Sequence, residues 1–250
     1  MRTAWLGIPI LIALSCAGTS QPPEPGAASV WQRVAPPATL DLSRKLTAGF
    51  LIVDGIYNSE LMAPYDILQH TIFHTEPGIE VFTVSPDGNP VVSFEGLTIG
   101  AHYRFDDAPA IDILVVPSAE GSMGKDLENV AMMDWVRRVG SQASFVMSLC
   151  DGAFVLAAAG LLEEKRCTTF PGDQDRFAET YPQLELVRGV SFVHDGSALT
   201  SEGGAKSYDV AMYLVDHLYG EKVAQGVGRG LIIDWPPAPE RMAADIVAPE

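Results

Sequence analysis

The sequence predicts an α/β protein built on a doubly wound, mostly parallel sheet with helices on both faces. Two observations predict this fold class. Short continuous apolar runs, typical of strands buried on both faces, alternate along the chain with segments of helical apolar spacing. The chain also has 250 residues, of which 47% are hydrophobic, and this length allows the large core that such a sheet requires.

The first half of the chain begins the alternation of strand and helix. The run Gly49–Asp54 predicts a buried strand, and Asn58 or Ser59 is expected to cap the helix that follows it. This half also supplies two further strands and a second helix. They are predicted over Ile79–Val84, Ile111–Val116 and about Leu127 to Val139, respectively.

The second half continues the alternation. Ser144–Leu149 predicts a strand, and Val193–Thr200 predicts two short strands joined at Asp195-Gly196, a dipeptide that favours tight turns. His194 lies in this hairpin and is expected at the surface, and a remote triad base is the alternative. The remaining elements are a helix over Asp151–Leu162, a strand over Cys167–Phe170 and a helix over Ala205–Tyr219 that Gly220 closes.

The two ends of the chain have the composition of targeting and linking segments. Arg2, an apolar run and small residues give 1–15 the layout of a signal peptide, of the lipoprotein type if Cys16 is acylated. Cleavage further on, an uncleaved anchor and a buried N-terminal helix are the alternatives. Residues 16–46 are expected to form a Pro-rich tether, 47–235 the folded domain and 236–250 a loose tail. We therefore expect an exported protein, periplasmic or anchored to the membrane by lipid.

Charge and cysteine spacing exclude several classes of partner. With 16 basic and 32 acidic residues the formal charge is −16, which repels nucleic acid. A DNA-binding regulator would also need a helix-turn-helix module after Trp235, and the fifteen residues that follow are too few to form one. The spacing of Cys16, Cys150 and Cys167 does not match that of the cysteine ligands in zinc sites. The glycine-rich segment Gly121–Gly124 lacks the Lys of a phosphate-binding loop. We expect neither a metal nor a cofactor.

Cys150 stands where a buried strand passes into a helix that begins with small residues, Gly152 and Ala153. Such an elbow exposes a nucleophile, and the new helix N-terminus is expected to lower the pKa of the thiol. A buried, unreactive cysteine is the alternative. We also expect no disulfide to Cys167, since that residue is predicted to begin the next parallel strand at the opposite edge of the sheet.

Four segments follow one another along the chain in a characteristic order. They are Glu60–Ile67 after Asp54-Gly55, Asp112–Pro117, Cys150–Ala153 running to Ala158–Leu162, and Thr200–Gly204. In this order they resemble the DJ-1/PfpI family of the class I glutamine amidotransferase-like superfamily, and the resemblance covers about residues 47 to 234. It is closest to the branch of isonitrile hydratases and of the sensory halves of some transcription regulators. It implies a flavodoxin-like fold of the DJ-1/PfpI type and a homodimer.

The resemblance also implies roles for individual residues. Cys150 would be the nucleophile and Glu60 the carboxylate that contacts its sulfur and shuttles protons. The backbone N–H groups of Asp151 and Ala119 would be the oxyanion donors. The chain departs from the family at Ser118-Ala119, where Gly-Gly is usual. It departs again at Asp151, where related branches often have His, and at Phe170-Pro171, where this branch usually has His-Trp.

Two function classes follow from this interpretation. The first is a hydratase or hydrolase in which Cys150 attacks a small carbon–nitrogen or carbonyl electrophile. The second is a non-catalytic domain that binds a small ligand or senses oxidants through Cys150. In either case Glu60 is expected to be protonated and to donate a hydrogen bond to the sulfur, so that replacing it by Leu would raise the pKa of the thiol.

Overall fold

The computed structural model describes residues 40–238 and 241–247. The predicted signal peptide and most of the predicted tether lie outside these residues. The strands are β1 (Leu46–Leu51), β2 (Ile79–Ser85), β3 (Val91–Val92), β4 (Thr98–Ile99), β5 (Tyr103–Arg104), β6 (Ile113–Val116), β7 (Phe145–Leu149), β8 (Arg166–Cys167), β9 (Glu185–Leu186), β10 (Phe192–Asp195), β11 (Ala198–Ser201) and β12 (Ala244–Val247). The helices are α1 (Asn58–His70), α2 (Val130–Gly140), α3 (Gly152–Ala158), α4 (Gln174–Thr180), α5 (Ser207–Tyr219) and α6 (Glu221–Leu231).

The central sheet has eight strands in the order β12-β10-β11-β7-β6-β1-β2-β5. All neighbouring strands are parallel except the antiparallel hairpin of β10 and β11. The predicted mostly parallel α/β class is therefore confirmed. The carboxyl ends of β1, β6, β7 and β11 lie at one edge of the sheet, because these strands are mutually parallel.

Helices cover both faces of the sheet and divide the core into two apolar clusters. On one face α1, α5 and α6 pack together, with Leu61, Leu214 and Val227 among the buried residues. On the other face α2 and α3 pack together, with Trp135 and Phe154 in the second cluster. The position of Cys150 between β7 and α3 thus places it where the two layers meet the sheet edge.

Several helix ends differ from their predicted positions because tertiary contacts decide them. The amide of Asn58 at the start of α1 donates to the Glu95 carboxylate of the β3–β4 loop, so neither predicted side-chain cap is used. Helix α2 begins at Val130, since the side chain of Asn129 accepts a hydrogen bond from the amide of Met132. Helix α3 ends at Ala158, short of Leu162, and Gly160 follows in the left-handed conformation.

The predicted strand at Cys167 is wrong in its partner and its length. It comprises only β8, which pairs with β9 in a separate two-stranded sheet, and β11 takes the place beside β7. Cys150 and Cys167 are both free thiols in this structure, as predicted.

The C-terminal segment is not the loose tail that its proline content predicts. Within the predicted tail 236–250, Ala244–Val247 forms β12 and extends the sheet beside β10. Two observations account for its position. β10 would otherwise be an edge strand with unpaired backbone groups, and Arg166 binds the Asp245 side chain from β8.

No helix within 40–238 and 241–247 has the length and apolarity needed to cross a bilayer.

His194 is buried, contrary to the expectation of a surface position. Its Nδ1 lies 2.7 Å from the Tyr213 hydroxyl and its Nε2 lies 3.0 Å from the carbonyl oxygen of Gly196. Burial, together with nearby His217, lowers the pKa of His194 to about 4. Both ring nitrogens are therefore used in holding the hairpin against α5, and the ring is neutral at physiological pH.

We expect the stability to fall as His194 becomes protonated. Because its pKa is lower in the folded protein than in the unfolded chain, this contribution is fully present above about pH 6.5 and is lost as the pH falls towards 4. The loss is at most about 3 kcal/mol. Urea unfolding at several pH values should show a shallower acid dependence for His194→Gln than for the parent. The exposed His102→Gln is the control, and parallel curves for His194→Gln and the parent would contradict the assignment.

Candidate active site

Cys150 occupies a left-handed backbone conformation, with φ of 55°, directly after β7. Its amide donates to the carbonyl of Ser201 at the end of β11, at 2.9 Å. Gly152, two residues further on, cannot be replaced by a residue with a side chain, because a Cβ there would collide with the Val116 carbonyl oxygen at the end of β6. The elbow is thus held between two neighbouring strands, and the thiol is buried at the carboxyl edge of the sheet.

Gly203 lies directly against Cys150. A side chain there would collide with the Cβ and the backbone of Cys150, and the φ of Gly203 is 81°. The next residue, Gly204, donates its amide to Glu60 Oε1 at 2.9 Å. Residues 203–204 therefore connect Cys150 to the Glu60 carboxylate, although 90 residues separate these two in the sequence.

Glu60 lies in the first turn of α1 and is buried. Its second carboxylate oxygen, Oε2, accepts a hydrogen bond from the Ser59 hydroxyl at 2.8 Å. The structure brings Glu60 close enough for its charge to act on the thiol, but the carboxylate makes no hydrogen bond to the sulfur. Both of its oxygens accept hydrogen bonds from other groups. This arrangement suits the ionised carboxylate rather than the expected protonated donor.

The thiol is less acidic than its place at a helix start predicts. Burial raises the pKa of Cys150, and the negative charges of Asp151 and Glu60 raise it further. The amide of Asp151 and the hydroxyl of Ser118 act in the opposite direction but do not outweigh these effects. Helix α3 has only seven residues, so its dipole stabilises the thiolate too weakly to offset the effect of burial on the pKa. The expectation of a lowered thiol pKa was wrong.

Of the two predicted oxyanion donors, the structure leaves one free to act. The amide of Asp151 faces the sulfur. The amide of Ala119 instead donates to the Ser122 hydroxyl at 2.8 Å, so it is already used within its own loop. The prediction for Ala119 fails because the loop after β6 folds back on itself, where Ser122 has the position to accept this hydrogen bond.

The side chain of Asp151 adds a second carboxyl group beside the sulfur. Its Oδ2 accepts a hydrogen bond from the Cys150 thiol, with 3.8 Å between Sγ and Oδ2, and its Oδ1 accepts a hydrogen bond from the Thr169 hydroxyl at 3.2 Å. Burial and the neighbouring charge of Asp173 raise the pKa of Asp151 to about 6.

Sequence reasoning gave no role to four residues of this site, Thr169, Asp173, Gly203 and Gly204, although the two glycines lie in the family segment Thr200–Gly204. The first two follow β8, where the departure from the family pattern at Phe170-Pro171 was the available signal. Burial raises the pKa of Tyr57, and the nearby charges of Cys150, Glu120, Asp151 and Glu60 raise it further. Within the part of the chain that the structure describes, no group of three or more His, Cys, Asp or Glu side chains is arranged to hold a metal.

Replacing Glu60 by Gln should lower the pKa of the thiol, because a negative charge is removed while an oxygen remains to accept from the Gly204 amide. Cys150 should then react with iodoacetamide roughly three- to tenfold faster at neutral pH, as measured by peptide mass spectrometry across a pH series. Asp66→Asn, an exposed position of the same helix, is the control. An unchanged or slower reaction would contradict the electrostatic assignment.

Known proteins of similar sequence are an enzyme and several regulators. Isonitrile hydratase of Pseudomonas putida is 34% identical over 194 residues, which cover 78% of this chain and 80% of that protein. The HTH-type transcriptional regulator CdhR of Pseudomonas aeruginosa is 29% identical over 150 residues. These cover 60% of this chain but only 44% of the regulator.

Solved structures share the fold. A ThiJ/PfpI family protein from Pseudomonas syringae aligns with a TM-score of 0.69 at 21% identity, over 78% of this chain and 77% of that one. DJ-1beta of Drosophila melanogaster aligns with a TM-score of 0.64 at 22% identity, over 77% of this chain and all of the other. The family model of DJ-1/PfpI matches residues 47–217, and the chain therefore belongs to the DJ-1/PfpI family.

Proposed function

We propose that this protein is a cysteine-dependent hydratase that adds water to a small, neutral isonitrile. The observation that carries the proposal is the placement of Cys150 at the elbow, with the buried carboxylate of Glu60 joined to it through residues 203–204. The similarity to isonitrile hydratase over most of both chains supports the substrate class.

A neutral thiol can begin this reaction if its proton is removed as the sulfur attacks. Asp151 Oδ2, to which the thiol donates a hydrogen bond, is the nearest base for this proton, and Glu60, whose oxygens are oriented by Gly204 and Ser59, is the second base beside the sulfur. The sulfur bonds to the isonitrile carbon, which takes up a proton, and a thioimidate forms. Water then adds to the carbon–nitrogen double bond, the nitrogen is protonated, and loss of the thiol leaves an N-substituted formamide.

The occupied amide of Ala119 favours hydration of an isonitrile over hydrolysis of an ester or amide. Acyl transfer develops a negative oxygen in its first step and depends on donors that receive it. Attack on an isonitrile carbon develops no oxyanion, so the hydrogen bond from Ala119 to Ser122 does not impede it. The acidic side chains around the thiol also disfavour anionic substrates.

Incubation with cyclohexyl isocyanide should yield N-cyclohexylformamide, detected by nuclear magnetic resonance. Cys150→Ser should abolish the reaction, and Glu60→Gln should reduce kcat by about 100-fold or more, because it removes one of the two bases beside the sulfur. Cys167→Ser is the matched control and should retain the parent rate. Formation of formamide at the parent rate by Cys150→Ser would overturn the role of the nucleophile, and no formamide from the parent with any of several isonitriles would overturn the hydratase.

A ligand-binding or redox-sensing domain is the second candidate. The similarity to regulators favours a domain that binds a ligand, whereas the raised pKa of the thiol disfavours rapid oxidation of Cys150. A sensor would form a sulfenic acid at Cys150 with dilute peroxide while producing no formamide, and dimedone labelling distinguishes it from the enzyme.

Export and self-association also remain proposals. Arg2 and the apolar run before Cys16 support export, with lipid at Cys16 if it is acylated, and fractionation of the native host tests this. The exposed apolar side chains of Val92, Phe94 and Leu97 in and around the β3–β4 hairpin support a homodimer, which light scattering of the purified protein tests.

A further inference from the structure

Asp151 stands at the residue before α3, where an aspartate normally caps a helix. A carboxylate at this position commonly accepts hydrogen bonds from the free amides of the first turn, and such a cap stabilises the helix. The side chain of Asp151 makes no cap hydrogen bond to the amides of α3. Its two oxygens have partners outside that helix, Thr169 for Oδ1 and the thiol of Cys150 for Oδ2. A local stabilising contact is therefore replaced by contacts on the side of the sulfur.

The hydroxyl of Thr169 is the group that holds this carboxylate. Thr169 is fully buried, and its hydroxyl oxygen lies 3.2 Å from Asp151 Oδ1 and 3.1 Å from the carbonyl oxygen of Cys150. A hydroxyl has one proton to donate, and a hydrogen bond to an ionised carboxylate is stronger than one to a neutral carbonyl. The carbonyl of Cys150 also has a second donor, the amide of Ala153 at 3.4 Å. The proton of Thr169 therefore goes to Asp151.

The segment after β8 fixes Thr169 itself. The amide of the neighbouring Thr168 donates to the hydroxyl of Thr200 in β11 at 2.8 Å. The side-chain amide of Gln174, a buried residue, donates to the carbonyl of Thr169 at 3.3 Å. Strand β11 pairs with β7, the strand that leads directly into Cys150. The hydroxyl and the sulfur are thus held by two neighbouring strands of one sheet.

We propose that Thr169 is a positioning residue for the reaction at Cys150, because its hydroxyl keeps the Asp151 carboxylate away from α3 and directs Oδ2 at the thiol. Asp151 is then the base that receives the thiol proton. This assignment rests on the proposed hydratase function, and it names the residue on which the nearest base depends.

The step that Thr169 supports is the transfer of one proton. As the sulfur attacks, the S–H bond breaks, Asp151 Oδ2 gains the proton, and the electron pair of the sulfur forms the C–S bond. The isonitrile carbon then carries an electron pair and takes up that proton, so that the thioimidate forms and Asp151 is ionised again. Atoms, protons and charge balance without a further reactant.

The hydrogen bonds distinguish the two carboxylates beside the sulfur. Glu60 accepts from the Gly204 amide at Oε1 and from the Ser59 hydroxyl at Oε2. Asp151 accepts from the Thr169 hydroxyl at Oδ1 and from the thiol at Oδ2. A base must lie within hydrogen-bond reach of the proton that it takes, and Asp151 meets this condition in the structure. Thr169 orients it through the other oxygen.

The S–H stretching band in the infrared spectrum tests the arrangement without turnover. Cys150 contributes the part of this band that disappears in Cys150→Ser, and its frequency rises when the thiol loses a hydrogen-bond acceptor. Thr169→Val keeps the shape of the side chain but removes the hydroxyl, and it should raise this frequency. Thr169→Ser restores the hydroxyl and should leave the band at the parent frequency. Thr83→Val is the matched control, since it removes another buried hydroxyl from β2, three strands away from β7.

Turnover of cyclohexyl isocyanide is the second readout. Thr169→Val should lose about tenfold in kcat with KM within about twofold of the parent value, and Asp151→Asn should lose about 100-fold in kcat. Because Thr169 acts through Asp151, the double variant should be no slower than Asp151→Asn alone. Thr169→Ser and Thr83→Val should retain the parent rate.

An S–H band that stays at the parent frequency in Thr169→Val would overturn the proposal. A double variant whose loss in kcat is the product of the two single losses would overturn it as well. If valine prevents folding at this buried position, Thr169→Ala takes its place, because it also removes the hydroxyl. If the parent hydrates no isonitrile, the hydratase fails, and the S–H band alone decides whether Thr169 directs Asp151 at the thiol.

Discussion

The left-handed backbone of Cys150 is the constraint on which the rest of the site depends. A non-glycine residue in this conformation is strained by about 1–3 kcal/mol, and surrounding structure must offset the strain. Here the offset comes from the hydrogen bond between Cys150 and Ser201 and from two glycines that allow backbone to lie against backbone. Strands β6, β7 and β11 therefore meet at one point. Because Gly204 follows one of these glycines, the same contact also positions Glu60.

Electrostatics then sets the kind of chemistry that this elbow can support. Burial and two nearby carboxyl groups keep the thiol protonated, so the site is not a ready-made thiolate of the kind that a Cys–His pair provides. In the proposed hydratase, attack by the sulfur therefore depends on a base that accepts the thiol proton. An uncharged substrate suits this proposal, because the groups around the sulfur are acidic.

The sequence was most informative where a single local property decides the structure. Continuous apolar runs located β1, β2, β6 and β7, because burial on both faces leaves no polar position in a strand. Cys150 and Glu60 were located by their place in family motifs. Their electrostatics could not be predicted, since the pKa of the thiol depends on how deeply it is buried and on a carboxylate 90 residues away.

The errors share a cause in contacts between distant segments. Asn58 does not cap α1 because Glu95 reaches its amide from the next loop. His194 is buried because Tyr213 of α5 offers a partner for its ring. The hydroxyl of Thr169 reaches Asp151 from the segment after β8, and nothing in the local sequence of Thr169 indicates that they meet. Local periodicity therefore predicts where the sheet lies, whereas the groups that surround the sulfur are set by the way loops converge.

The C-terminal strand β12 has a role in keeping molecules apart. It covers β10, whose Phe192 and Val193 would otherwise present an apolar edge ready to pair with a strand from another molecule. β12 is itself only half-buried, and its charged Asp245 is bound by Arg166, which also holds Glu185 of β9. Four residues near the end of the chain therefore close the edge of the sheet that β10 would otherwise leave open.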